Sequence, residues 1–252
     1  MTKPFFTDWM AATKPDPTVA DLVVLKEKRD SRALVAKAIR DAVTDHLVGL
    51  EVIERMGGYP KTLEFMRNKL PAYKKVRSGD LGEILASEYI DQCMGFTVPV
   101  KRLRWKDDRN TTMRGNDVIA IQARGKRWLL LKAESKSRAR LDKGVVTEAL
   151  EGLADHSGRP NPSSLAFLSS RLREARRDAE ATVFEDLQRS QPKADEIEHL
   201  VFTFSGNNPT TYLKTAVADG TGGIRCHLVG CEIVDHQHFI KSTFDSIHDG
   251  HA

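Results

Sequence analysis

Trp128-Leu129-Leu130-Leu131-Lys132-Ala133-Glu134-Ser135-Lys136 decides how the rest of the chain is read. Its first half is apolar without interruption, as in a strand covered on both faces, and its second half turns polar with no intervening Gly or Pro. Side chains alternate along a strand, so Glu134 and Lys136 project to one side, about 7 Å apart. Upstream, Gly115-Asn116-Asp117 leads into Val118-Ile119-Ala120-Ile121, a second buried strand. The spacing predicts strands over Asp117–Gln122 and Arg127–Ala133, joined through Ala123 to Lys126, with Gly125 in the connection. Paired antiparallel, these strands set Asp117 opposite residues 132–134. Its carboxylate then comes within reach of Glu134.

Around this hairpin the periodicities alternate. Ala20 to Met56 reads as one long helix or two abutting ones, with Leu34, Val35, Ala38, Ile39, Ala42, Val43 and Leu47 on an apolar stripe. His46 sits on that stripe as a packing residue. Gly57-Gly58 ends the pattern, and Tyr59-Pro60 begins a shorter helix to Leu70, closed by Pro71. Asp80-Leu81-Gly82-Glu83 opens a further helix that Gly95 stops, and Phe96 to Val100 has strand character. Lys106 to Asn116 is polar and reads as a loop. Beyond Lys143, helical spacing returns at Val146, Leu150 and Leu153, and in one longer helix from Leu165 to Leu187. Strand character follows at His199–Phe204 and Ile224–Val234. The pattern is a mixed α/β fold with helices packed on a sheet: a helical N-terminal region over residues 1–75 and a second region over 76–252.

Charge is unevenly spread. Lys101 to Lys143 holds 14 Lys and Arg against 5 Asp and Glu, a net +9 within a chain of formal charge +4, so the remainder is net negative. A basic block of this kind suits a polyanion such as nucleic acid, although a solvated basic face has the same composition. At 40% hydrophobic and 29% charged residues, the chain can bury a core. No aliphatic run approaches the length of a membrane span, and the first ten residues lack signal-peptide order, so a cytoplasmic protein is expected. Three cysteines are too few for a disulfide framework. Cys226 and Cys231 near His227, His236 and His238 invite a zinc reading, but their odd separation puts the two thiols on opposite faces of a strand. No Walker-type phosphate loop is present, so the chain is not an NTPase by itself.

Two carboxylates and an ammonium at the end of a buried strand pair are costly unless something satisfies them. A divalent cation does so. Mg²⁺ takes hard oxygen ligands, commonly one or two carboxylates, and leaves room for water and phosphate. A lysine beside it can orient the attacking water and offset charge developing on phosphate. Asn116-Asp117 followed by Glu134-Ser135-Lys136 resembles the core of the PD-(D/E)xK nucleases, with Asn where Pro is usual. The wider pattern, Gly79-Asp80-Leu81-Gly82-Glu83, Arg114-Gly115-Asn116-Asp117 and Lys132-Ala133-Glu134-Ser135-Lys136-Ser137, is similar to the HamA family, effectors of the Hachiman antiphage system, over roughly residues 75–240. The resemblance implies a PD-(D/E)xK-like sheet flanked by helices and a DNA endonuclease dependent on Mg²⁺ or Mn²⁺. It implies Asp117, Glu134 and Glu83 as metal ligands, Lys136 as a catalytic group, and a HamB-like helicase as partner.

Each residue also has a plainer reading. Glu134 and Lys136 can form a salt bridge at a strand end, and Asp117 can cap the turn after Gly115. Asp80 and Glu83 have capping-box spacing, so Glu83 can serve the backbone of Asp80 alone. Arg102, Arg104, Arg109, Arg114, Arg138 and Arg140 flank the acidic residues as candidate phosphate contacts, a reading that holds for the group. Arg173, Arg176 and Arg177 are interleaved with acids and suit helical pairs such as Arg176–Glu180. A non-catalytic subunit that binds nucleic acid or a helicase through a degenerate nuclease fold is the alternative in a different class.

Overall fold

A computed structural model describes residues 3–16, 18–19, 21–125, 127–190, 192–218 and 223–250. In chain order these form α1 (Phe6–Trp9), β1 (Met10–Thr13), β2 (Leu22–Glu27), α2 (Ser31–Leu47), α3 (Leu50–Arg55), α4 (Tyr59–Lys69) and α5 (Lys74–Tyr89). Then come β3 (Val118–Arg124), β4 (Arg127–Arg138), α6 (Lys143–Ala154), α7 (Pro162–Glu174) and α8 (Asp178–Ser190). The chain finishes with β5 (Ile197–Ser205), α9 (Thr210–Ala218), β6 (Arg225–Glu232) and α10 (His236–His248). The six strands make one mixed sheet in the order β1-β2-β6-β5-β4-β3. Its two outer pairs are antiparallel and its inner pairs parallel.

The predicted hairpin is longer than its apolar run. β3 and β4 stay in register from Val118 opposite Ala133 to Arg124 opposite Arg127. Ala123 therefore belongs to the ladder, and the connection narrows to Gly125, whose φ is +62°, and Lys126, which lies outside the described residues. β4 then runs on to Arg138 because its second half pairs with β5, from Leu130 opposite Ile197 to Arg138 opposite Ser205. Val118, Ala120, Leu129, Leu131 and Phe202 pack on one face against α1, α2, α5 and α10. Ile119, Ile121 and Leu130 pack on the other against α7 and α8, while Val201 and Leu228 meet α6 and α9.

Four expectations are corrected. The first 75 residues are not wholly helical: β1 and β2 belong to the sheet, so it crosses the boundary expected at residue 75. Leu22-Val23-Val24-Leu25 pairs in parallel with β6, some 200 residues away, a partner that local periodicity does not reveal. The helix begins only at Ser31, and Leu34 is 80% exposed, outside the stripe of Val35, Ile39 and Val43. Phe96–Val100 is not a strand; only Thr97 bridges to Ile121 at the outer edge of β3. The helix read from Leu165 to Leu187 is two, broken where Arg176 takes a φ of 57°. The chain continues past β6 into α10, which buries Phe239, Ile240, Phe244 and Ile247 at helical spacing.

Gly82 sets the distance between α5 and β4. A methyl group there would lie 3.0 Å from both Ser135 Oγ and Ser137 Cβ. Gly82→Ala is expected to lower stability by about 1–2 kcal/mol through overpacking, more than the ~1 kcal/mol that alanine contributes to helix propensity. Urea denaturation checks this, and a raised midpoint would contradict the packing described.

Candidate active site

The hairpin register places the acidic pair. Val118 stands opposite Ala133, so Asp117, one residue earlier, continues the register opposite Glu134 and on the same face. Asp117 Oδ2 accepts the Ser135 backbone N–H at 2.9 Å. Two residues on, Lys136 shares the face of Glu134 and donates from Nζ to Glu148 Oε1 of α6 at 2.9 Å. The helix α6 lies directly over this face. It comes that close at Gly152, where a methyl group would stand 3.0 Å from Glu134 Cδ. It is held there by Lys132, fully buried, whose ammonium donates to the carbonyls of Leu153 and Asp155 at 2.9 and 3.0 Å. A cation on the last carbonyls of a helix satisfies groups that have no partner within it.

Glu83 reaches the site from α5 through an arginine. Arg102 donates from Nε and Nη2 to the two Glu83 carboxylate oxygens at 2.7 and 2.9 Å, and from Nη2 to Asp117 Oδ1 at 3.3 Å. The capping reading of Glu83 is thereby removed, because α5 starts at Lys74 and Asp80 lies inside it rather than at its cap. Asp80 instead takes both its contacts from Lys106 Nζ, at 3.0 and 2.8 Å. Burial pushes the Glu83 carboxyl up to about 7 against the pull of Arg102. Burial and then the nearby Asp117 push Glu134 up to about 8, with Lys136, Lys132 and Arg102 opposing. Burial likewise raises Asp80 to about 6.

The flanking arginines divide. Arg102 is spent on Glu83 and Asp117, and Arg104 on Asp45 and Glu51, at 2.8 and 2.7 Å. Arg109 donates to the Arg67 carbonyl at 2.7 Å. Arg114, Arg138 and Arg140 remain exposed. In the second basic cluster the helical pair is Arg177 with Glu180, and Arg173 meets Asp178 and Glu185. Cys231 is buried in the larger core, whereas Cys226 packs on the opposite face of β6.

The donors suit a hard cation. Among the described residues, no hydrogen-bond donor contacts the Glu134 carboxylate, and that group lies beside Asp117 in a setting that penalises its charge. Two carboxylates of this kind are the protein share of a Mg²⁺ or Mn²⁺ site, the remaining positions going to water and phosphate. No three His, Cys, Asp or Glu side chains among the described residues converge on one point. Both Glu83 oxygens are held by Arg102, which separates Glu83 from the other two acids. The arrangement is therefore two carboxylates on one face, which would be the groups to hold such a cation, with the Lys136 side chain on the same face.

A family profile described as HamA matches residues 3–247. The chain belongs to the HamA family. A relative named Hachiman protein HamA, from Bacillus cereus, is 29% identical over 176 residues, which are 69% of this chain and 62% of the relative. The match thus spans less than two thirds of that relative's length. In this HamA-family chain, the N-terminal strands missing from the sequence reading fall inside the matched region. Among the described residues, no helix is long and apolar enough to cross a membrane.

Sequence reasoning missed Arg102 as the bridge between Glu83 and Asp117, and Lys132 as the cap of α6. The first had a signal in the basic block but no indication of which arginine turns inward. The second was a lone lysine inside a buried run, itself a sign of a paired interior charge.

A group whose pKa is higher folded than unfolded holds its proton more tightly in the fold, so stability falls as pH rises between the two values. For Glu134 that window runs from 4.5 to about 8. Glu83, raised to about 7, adds a smaller loss in the same direction, and the buried His46, His199 and His236, whose pKa values burial lowers from 6.5, give a partly compensating gain that is complete just above that value. In EDTA, stability is therefore expected to fall by about 1–2 kcal/mol from pH 6.5 to 8, and Glu134→Gln is expected to remove most of that loss. Denaturant midpoints at the two pH values measure it. An unchanged slope in the variant would contradict the assignment.

Proposed function

We propose that this chain is a metal-dependent DNA endonuclease of the PD-(D/E)xK type, the effector of an antiphage defence system under the control of a HamB-like helicase. The observation that carries the reading is the position of Asp117, Glu134 and Lys136 on one face at the end of the β3–β4 hairpin. Family membership and the relative named as a Hachiman protein support the defence role. With no ATP-binding loop in the sequence, the chain depends on a partner for any ATP-driven step, which suits a helicase.

Asp117 and Glu134 would hold the cation, which when bound polarises a phosphoryl oxygen and lowers the pKa of a water. The protein's own groups do the rest. Ser135 N–H and Arg102 fix the Asp117 carboxylate from two sides, so little reorganisation is needed. Lys136 stands on the same face as Glu134, where its ammonium offsets negative charge on the scissile phosphate and orients the water. It must be shared with Glu148, an exposed carboxylate, and DNA phosphate can compete for it there. Arg114, Arg138 and Arg140 supply charge for flanking phosphates, each replaceable at modest cost. Arg102 keeps Glu83 and Asp117 from repelling one another.

Plasmid nicking in Mg²⁺ against EDTA tests the reading. Lys136→Ala is expected to lower cleavage by about 10²–10³, while the fold and most DNA binding remain. Glu134→Ala is expected to lose cleavage through weakened cation affinity, with partial rescue by excess Mn²⁺ that Lys136→Ala does not show. A folded Lys136→Ala variant nicking at the wild-type rate would refute the mechanism. For the partner, the co-expressed pair is expected to elute as one species at micromolar concentration.

A further inference from the structure

A cavity of about 400 Å³ opens beside the carboxylates, between the edge of β3, the start of α7 and the segment before β3. Glu83, Arg102 and Asp117 form one end of it. We propose that this cavity receives a single nucleobase, unstacked from the DNA strand whose phosphate stands at Asp117 and Glu134. The proposal rests on the nuclease reading above and deepens it, since a base enters such a pocket only from single-stranded, frayed or distorted DNA.

Three observations carry it. The first is shape and lining: Val98, Val100, Ile119 and Phe167 give the cavity an apolar wall. Its volume lies at the small end of the range for ligand pockets, about 300–1,000 Å³. That suits one planar heterocycle and excludes a duplex. Among the described residues, the Lys and Arg side chains lining the cavity are Arg102, which is held by Glu83 and Asp117, and Arg114, so the interior suits an uncharged group better than a phosphate.

The second is a donor with no protein partner. Asn116 is buried and lines the cavity, and its Oδ1 accepts the Asn161 backbone N–H at 2.8 Å. That bond fixes the amide and leaves its NH₂ without a partner among the described residues. Such a group can serve the carbonyl or ring nitrogen of a base. Asn116 is thus more than a shape substitute at the place where proline is usual in the nucleases it resembles.

The third is the aromatic group packed on Phe167, which lines the cavity. Trp105 is 37% exposed and meets Phe167 edge to face, with ring centroids 5.9 Å apart. Arg171 lies over both rings, at 5.9 and 5.6 Å from their centroids. Aromatic rings backed by a guanidinium are the surfaces on which proteins stack unpaired bases.

The test compares the affinity of an octamer of deoxythymidylate with that of the same phosphodiester backbone carrying tetrahydrofuran in place of every base. Fluorescence anisotropy is read in Ca²⁺ with the Lys136→Ala protein, to prevent cleavage. The intact octamer is expected to bind at least tenfold more tightly. Adding Val100→Phe, which fills the cavity, is expected to reduce that ratio severalfold and leave affinity for the abasic backbone unchanged. Phe167→Leu, a milder change, is expected to reduce it in the same direction, so the test stands even if Val100→Phe does not fold. Equal affinities for the two octamers, no binding of either, or an unchanged ratio in the folded variants overturns the pocket. Wild-type cleavage with no dependence on bases sinks the pocket alone. Base-dependent binding without cleavage sinks the nuclease reading and leaves the pocket standing.

Discussion

Arg102 joins two carboxylates that could not otherwise share this corner of the protein. Glu83 arrives on a buried helix from one side of the sheet, and Asp117 ends an edge strand whose acidic neighbour faces the other side. Both lie where water cannot screen them well, and the guanidinium donates to both. An arginine suits this place better than a lysine, because its planar fork meets two carboxylates at once and stays charged at every pH of interest. The same contact ties α5 to the β3–β4 hairpin and forms one end of the cavity beside them. The position of Glu134 then follows from strand register. With Asp117 fixed from the α5 side, the antiparallel pairing presents the second carboxylate directly opposite, and Lys136 follows on the same face.

That arrangement leaves one charge unresolved. Asp80 has Lys106, Glu83 has Arg102, and Asp117 has both Arg102 and a backbone N–H. Glu134 is pressed under α6 at Gly152 with no donor among the described residues. Glu134 is half-buried, and perturbed carboxyls of this kind cluster at functional sites. The closeness of α6 is itself built, through a buried lysine that satisfies the last carbonyls of the helix.

The hairpin and the acidic pair were legible because their signals are local. An uninterrupted apolar run, a Gly-containing connection and alternation along a strand together fix which side chains share a face. What the sequence concealed depends on distant partners. Leu22–Glu27 is a strand because β6 offers it a parallel edge, and nothing within six residues announces that edge. The polar second half of β4 is a strand for the same reason, paired with β5. Capping-box spacing at Asp80 and Glu83 was misleading because the helix had already begun at Lys74, six residues before the motif. Which arginine turns inward also lay beyond local reading, since Arg102 and Arg104 look alike in sequence and serve different acids.

We propose that Asp117 and Glu134 together hold a divalent cation. This is tested most directly by anomalous X-ray diffraction from crystals of the protein grown with Mn²⁺. A single strong anomalous peak bonded to carboxylate oxygens of Asp117 and Glu134 is expected, with Lys136 beside it. A peak elsewhere, or none at these two residues in Mn²⁺ at millimolar concentration, would contradict it.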